Sequence, residues 1–188
     1  MSPAGSSYAK SDRFIRIARM IRARVITCSD GVARGTRQDR SGQAVRDLLD
    51  RSGCKVDRIV VVPDDVDEIA LALADAIDAG IRLVVTAGGT GISPRDVTPE
   101  ATLRVGDRVV PGFGELMRSK SLEKTPMASL SRAQAVTSGS ALILNLPGSV
   151  SGSCENLEAV LHLIPHALDL LSGRPVEHTT EPPKRKEP

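Results

Sequence analysis

Tryptophan is absent from the chain, and phenylalanine and tyrosine together make up only 2% of its 188 residues. The core must then be filled by Val, Ile, Leu and Ala, as is usual between helices and a buried parallel sheet, which favours α/β over a β-sandwich. The same scarcity argues against a nucleic-acid partner. Only Tyr8 and Phe14 accompany the basic N-terminal stretch as stacking residues, and no recognised binding module follows them. Cysteine is equally sparse: Cys28, Cys54 and Cys154 form neither a CxxC pair nor a zinc-ligand spacing. That excludes a disulfide scaffold and a structural zinc site, and it fits a reduced, cytoplasmic setting. No run approaches the roughly 20 apolar residues of a membrane span. The N-terminus also lacks the continuous apolar core of a signal peptide, so no membrane association is expected.

Charge is nearly balanced at +2, but it is unevenly placed. The first 24 residues carry +5, leaving −3 for the rest. Residues 1–23 read as a disordered basic tail, with Met20 standing just before the first strand-like run; Phe14, Ile17, Ala18 and Ile21 give the tail a helical apolar spacing that could mimic a transit peptide or a membrane-surface helix. Residues 173–188, with Pro175, Pro182, Pro183 and Pro188 among charges, read as a disordered Pro-rich tail. One domain is expected between them, over residues 24–172.

Within that body, short apolar runs alternate with amphipathic stretches, the pattern of a βαβ chain. Strands are expected over residues 24–29, 56–62, 81–87 and 141–146. A helix with Ser41 as its N-cap should end at Gly53, and another opened by Asp64 and Asp65 should close at Gly80. Thr98 reads as the cap of a helix with Pro99 at its first position. A mixed segment follows, and a last helix over residues 153–171 should be kinked at Pro165. The fold class is therefore α/β, a three-layer αβα domain with a mostly parallel central sheet.

In such a sheet, ligands bind beyond the carboxyl ends of the strands. The polar clusters that begin there should converge: Ser29 and Asp30 with the loop to Asp39, Gly88 through Asp96, Asn145 through Gly148, and Asp64. Gly88, Gly89, Thr90 and Gly91 can present consecutive backbone N–H groups to phosphate oxygens without Cβ obstruction. The run lacks the lysine and spacing of a Walker A loop, so its meaning rests on its neighbours. Arg95 can bridge phosphate oxygens and Asp96 can hold Mg²⁺. Taken singly, Asp64 reads first as a helix cap and Asp96 as a local turn or cap residue. His162, His166 and His178 lie away from the strand ends, and no Ser-His-Asp or Cys-His arrangement can be built at the loops.

The run TAGGTGISPRDVTPEAT over residues 86–102 resembles the hallmark of the molybdopterin adenylyltransferase family of molybdenum-cofactor biosynthesis. Ser29-Asp30, Asp39-Arg40-Ser41-Gly42, Pro63-Asp64, Leu130-Ser131-Arg132 and Leu144-Asn145-Leu146-Pro147-Gly148 are similar to further family motifs. The resemblance implies transfer of AMP from ATP to the terminal phosphate of molybdopterin, with Mg²⁺, yielding adenylyl-molybdopterin and pyrophosphate. It implies Asp64 and Asp96 as essential acids acting through the metal, with Gly88 through Gly91 and Arg95 on phosphates. Asp30, Asp39 and Ser41 would contact nucleotide and substrate, while Ser131, Asn145, Pro147 and Gly148 would surround the pterin and phosphate pocket. It further implies a homotrimer that hands its product to a separate molybdenum insertase. One departure stands out: residues 149–153 hold no lysine or arginine, where relatives often place a basic residue. A catalytically silent molybdopterin-binding paralogue and a nucleotide pyrophosphatase of the competence-damage type remain the alternatives.

Overall fold

The computed structural model describes residues 21–173. Met20, nearly all of the expected basic tail and all but the first residue of the Pro-rich tail lie outside the described residues. Six strands, β1 (Arg22–Cys28), β2 (Lys55–Val62), β3 (Leu83–Ala87), β4 (Arg108–Val109), β5 (Ala135–Ser138) and β6 (Ala141–Leu146), form one sheet in the order β2-β1-β3-β6-β5-β4. The pairs β1–β2, β1–β3 and β3–β6 are parallel, while β5 and β4 add an antiparallel margin. β3 and β6 are buried along their whole length, which is why they appear in the sequence as continuous apolar runs.

Successive strand residues feed opposite layers. A one-turn helix, α1 (Asp30–Ala33), follows β1, and Val25, Val85 and Leu144 face the helices α2 (Ser41–Arg51), α5 (Pro111–Leu122), α6 (Val150–Leu161) and α7 (Ile164–Leu171). Ile26, Val84 and Ile143 face α3 (Val66–Asp78) and α4 (Thr98–Val105). This is the three-layer arrangement expected. Ala87 pairs with Thr27 on one side and Leu146 on the other, so β1, β3 and β6 end level and release their loops at one edge of the sheet.

Several boundaries differ from the sequence reading. β1 starts at Arg22, paired with Lys55, and Ile21 is buried, so the body begins inside the expected tail. The mixed segment that follows α4 holds β4, α5, a 3-10 helix (Pro126–Leu130) and β5. The last expected helix is two, α6 and α7, with Pro165 in the first turn of α7, where its missing N–H costs nothing. Ser41 and Thr98 are not caps. Ser41 is the first residue of α2, and the Asp39 carboxylate accepts the Gly42 N–H at 2.8 Å. Thr98 opens α4, and its hydroxyl instead donates to the Gly88 carbonyl at 2.9 Å. Asp65, not Asp64, caps α3 by accepting from Asp67 and Glu68. No helix among the described residues is long and apolar enough to cross a membrane.

Candidate functional site

The turn after β3 has a conformation that only glycine adopts readily. Gly88 and Gly89 have φ of +113° and +64°, and a Cβ on Gly88 would meet the Cys28 carbonyl oxygen at 2.2 Å. Each carbonyl of the turn is tied to protein. Gly88 O accepts from the Thr98 hydroxyl at 2.9 Å and Gly89 O from the Thr98 N–H at 3.1 Å. Thr90 O accepts from the Arg132 N–H at 2.8 Å and Gly91 O from Arg132 Nε at 2.7 Å. The amides of Gly89, Thr90 and Gly91 meet no protein acceptor among the described residues. The Gly88 N–H is spent on the Leu146 carbonyl at 3.1 Å, so the loop has its acceptors occupied and its three later donors free, the condition for holding an anion.

Two adjoining clefts share this loop as a wall. The first, of about 700 Å³, is lined by Arg37, Arg40, Ser41, Asp64 and Gly88. The second, of about 420 Å³, is lined by Thr90, Gly91, Ser131 and Pro147, with Arg118 and the exposed Met127. Gly89, Asp96 and Gly148 line both. The expected strand-end clusters therefore do converge, because β1, β3 and β6 end level.

Asp64 does more than follow a strand. Its Oδ2 accepts the Asp30 N–H at 2.9 Å, and its own N–H donates to Asp30 Oδ1 at 3.3 Å. Burial raises the Asp64 carboxyl above its ordinary value, and the charges of Asp30 and Asp96 add to this against the Asp30 amide and Arg95. Asp30 is held low, chiefly by the hydrogen bond from Arg95, whose guanidinium lies 2.7 Å away. Asp96 accepts the Ser93 N–H at 2.8 Å, the turn role its sequence position suggested, and it also faces both clefts.

Four expected contacts are placed elsewhere. Asp30 and Arg95 pair with each other beside the clefts and line neither. Asp39 is occupied by the Thr27 hydroxyl at 2.7 Å and by the Gly42 amide, which makes it a support for the start of α2. Asn145 is fully buried: its Nδ2 donates to Thr86 Oγ1 at 3.1 Å and to Thr102 Oγ1 at 2.9 Å, so it joins the sheet to α4 behind the loop. β6 is buried on both faces, and Asn145 shares the phase of Ile143, which faces α3 and α4. Conversely, Arg37 and Arg118 line the clefts without having been expected as site residues. The cluster of Arg34, Arg37 and Arg40 after the first strand was the available signal for the first, and two of its members, Arg37 and Arg40, line the first cleft.

Among the described residues no group of three or more His, Cys, Asp or Glu is arranged to hold a metal ion. Asp64 and Asp96 nevertheless face one cleft, and the Asp96 charge adds to the rise of the Asp64 carboxyl. Mg²⁺ is commonly held by one or two carboxylates together with substrate phosphates, and this pair fits that mode.

The family model of the molybdopterin binding domain matches residues 24–166. A molybdopterin adenylyltransferase of Helicobacter pylori is 41% identical over 152 residues, covering 79% of this chain and 86% of that protein. A molybdenum cofactor biosynthesis bifunctional protein of Chlorobaculum tepidum is 36% identical over 81% of this chain and 49% of its own length. The crystal structure of the molybdopterin biosynthesis enzyme MoaB of Thermus thermophilus superimposes with a TM-score of 0.78 at 49% identity, covering 83% of this chain and 99% of that one.

Proposed function

The chain belongs to the molybdopterin binding domain family, and from that membership we propose that it transfers AMP from ATP to the terminal phosphate of molybdopterin. A phosphate oxygen of molybdopterin attacks the α-phosphorus of ATP, the new P–O bond forms, and the bond to the β-phosphate breaks to release pyrophosphate. The nucleophile is already anionic near neutral pH, so the protein's work is positioning and charge neutralisation.

The observation that carries this reading is the shared wall: free amides of Gly89, Thr90 and Gly91, with Asp96, standing between two clefts. Two phosphate-bearing substrates, one in each cleft, bring their phosphates together at that wall. Arg37 and Arg40 balance charge in the first cleft, and Arg118 in the second. Asp64 and Asp96 would hold Mg²⁺, which would supply further neutralisation of the phosphate oxygens. Ser131, Pro147 and Gly148 form the second-cleft surface for the pterin-bearing substrate. A cytoplasmic homotrimer that passes its product to a molybdenum insertase completes the proposal, and light scattering of the purified chain checks the trimer.

The deciding experiment is pyrophosphate release from ATP and Mg²⁺, with and without molybdopterin, beside an Asp64→Asn variant. Release that requires the pterin and is lost in the variant is expected. Pterin binding without release would identify a silent carrier, and release without pterin would identify a pyrophosphatase.

A further inference from the structure

Arg132 lies between the 3-10 helix and β5 and lines neither cleft, yet it reaches across to the later half of the glycine loop and to Asp96 beyond it. Its N–H donates to Thr90 O at 2.8 Å and its Nε to Gly91 O at 2.7 Å. One terminal guanidinium nitrogen donates to the Asp96 carbonyl and the other to the Glu100 carboxylate on α4. Three of these four bonds go to backbone carbonyls of the loop. The ion pair with Glu100 is solvent-exposed, 35% and 49% by side chain, and such pairs contribute little by themselves.

In a planar trans peptide, the carbonyl of one residue and the N–H of the next point in opposite directions. Thr98, by holding Gly88 O and Gly89 O, therefore turns the amides of Gly89 and Thr90 away from α4. Arg132 does the same twice, its backbone N–H on Thr90 O for the Gly91 amide and its Nε on Gly91 O for the Ile92 amide. Its third carbonyl bond fixes the backbone of Asp96, whose carboxylate faces both clefts. A guanidinium is a rigid planar fork that can serve the diverging acceptors of Gly91, Asp96 and Glu100 at once, whereas a lysine ammonium is a single point on a flexible stem.

We infer that the Arg132 side chain is a positioning group: without touching substrate, its guanidinium fixes the carbonyls of Gly91 and Asp96, beside the Thr90 carbonyl held by its backbone N–H, so that the end of the loop and the Asp96 carboxylate are presented to a phosphate-bearing ligand. The inference rests on the proposed phosphate role of this loop. Ser131, adjacent in sequence, lines the second cleft, so the same short segment joins the wall of that cleft to the loop.

The test is isothermal titration of the full chain with ATP and Mg²⁺, and separately with inorganic pyrophosphate, in wild type, Arg132→Lys and Arg132→Ala. Arg132→Lys is expected to keep the wild-type melting temperature while losing roughly ten- to a hundredfold in affinity, the range typical of residues that orient a binding group. Millimolar methylguanidinium is expected to restore part of the affinity of Arg132→Ala, which a purely structural loss would not allow. Wild-type affinity in Arg132→Lys would overturn the inference, as would a loss explained wholly by a smaller folded fraction. Wild type binding neither ATP nor pyrophosphate would overturn it too. Wild type that binds ATP but shows no pterin-dependent transfer would sink only the transferase reading.

Discussion

Gly89 is where Thr98 and Asp64 close on the same turn: a Cβ placed on it would lie 2.3 Å from Thr98 Oγ1 and 3.3 Å from Asp64 Oδ1. The positive φ of +64° adds a cost for any L side chain of roughly 1–2 kcal/mol. Gly89→Ala should therefore fold with a lowered melting temperature and lose ATP binding, because either the Thr98 anchor or the Asp64 carboxylate must move. Calorimetry and ATP titration check this together. Unchanged affinity in the variant would show that the turn geometry is not needed for the ligand.

Asp64 links the ends of β1 and β2 and carries a raised carboxyl, so it has both a stability and an activity signature. Folded Asp64 holds its proton more tightly than the unfolded chain, whose aspartate titrates near 3.8, so its contribution to stability declines as pH rises from that value through the raised one. Asp30, held low, acts with the opposite sign, and its contribution is lost as pH falls. Cation binding needs the ionised form of Asp64. Binding of ATP with Mg²⁺ should then fail on acidification at a pH above the ordinary aspartate value, and Asp96→Asn should move that limb to lower pH by removing a like charge. A limb that stays in place would remove Asp96 from the electrostatics of the site.

Asn145 is a core residue in the structure, and its replacement should show it. Asn145→Ala leaves the Thr86 and Thr102 hydroxyls without their shared partner, at a cost of about 1–3 kcal/mol in urea unfolding. The folded fraction should bind ATP and molybdopterin as wild type does. Lost binding with stability retained would return Asn145 to the ligand.

Cys28 lines the first cleft, but its thiol is pushed up to about 12, first by burial and further by the Asp64 charge, against a hydrogen bond with Thr98. With so little thiolate near neutral pH, it should resist iodoacetamide in the folded protein and react only on unfolding. Mass spectrometry of the alkylated peptides distinguishes it from the more accessible Cys154. Rapid native labelling at Cys28 would contradict the burial.

The layers and the parallel strands were legible because buried strands and amphipathic helices leave periodic apolar patterns: Val84, Val85, Ile143 and Leu144 are hydrophobic on both faces, and Ile69, Leu73 and Ala76 recur at helical spacing. The convergence of Asp64, Gly88 through Gly91, Asp96 and Gly148 was legible too, since parallel strands place their following loops on one edge. The segment from Gly106 to Ser138 was less so, as its short strands and Pro-led helices carry weak periodicity.

Local chemistry alone determined that the loop after β3 needs glycine, that Asp64 and Asp96 stand at strand ends, and that a Val-Ile-Leu core must be layered. Only the tertiary structure decided which polar groups are spent on protein and which are left for a ligand. Asp39 and Asn145 look like site residues in sequence but are taken up by Thr27, Gly42, Thr86 and Thr102. Arg132, distant in sequence from the loop it holds, reaches the carbonyls of Gly91 and Asp96 only because the chain folds back against α4. A hydrogen bond across dozens of residues leaves no periodic trace, so the division between donors in use and donors free exists only in three dimensions.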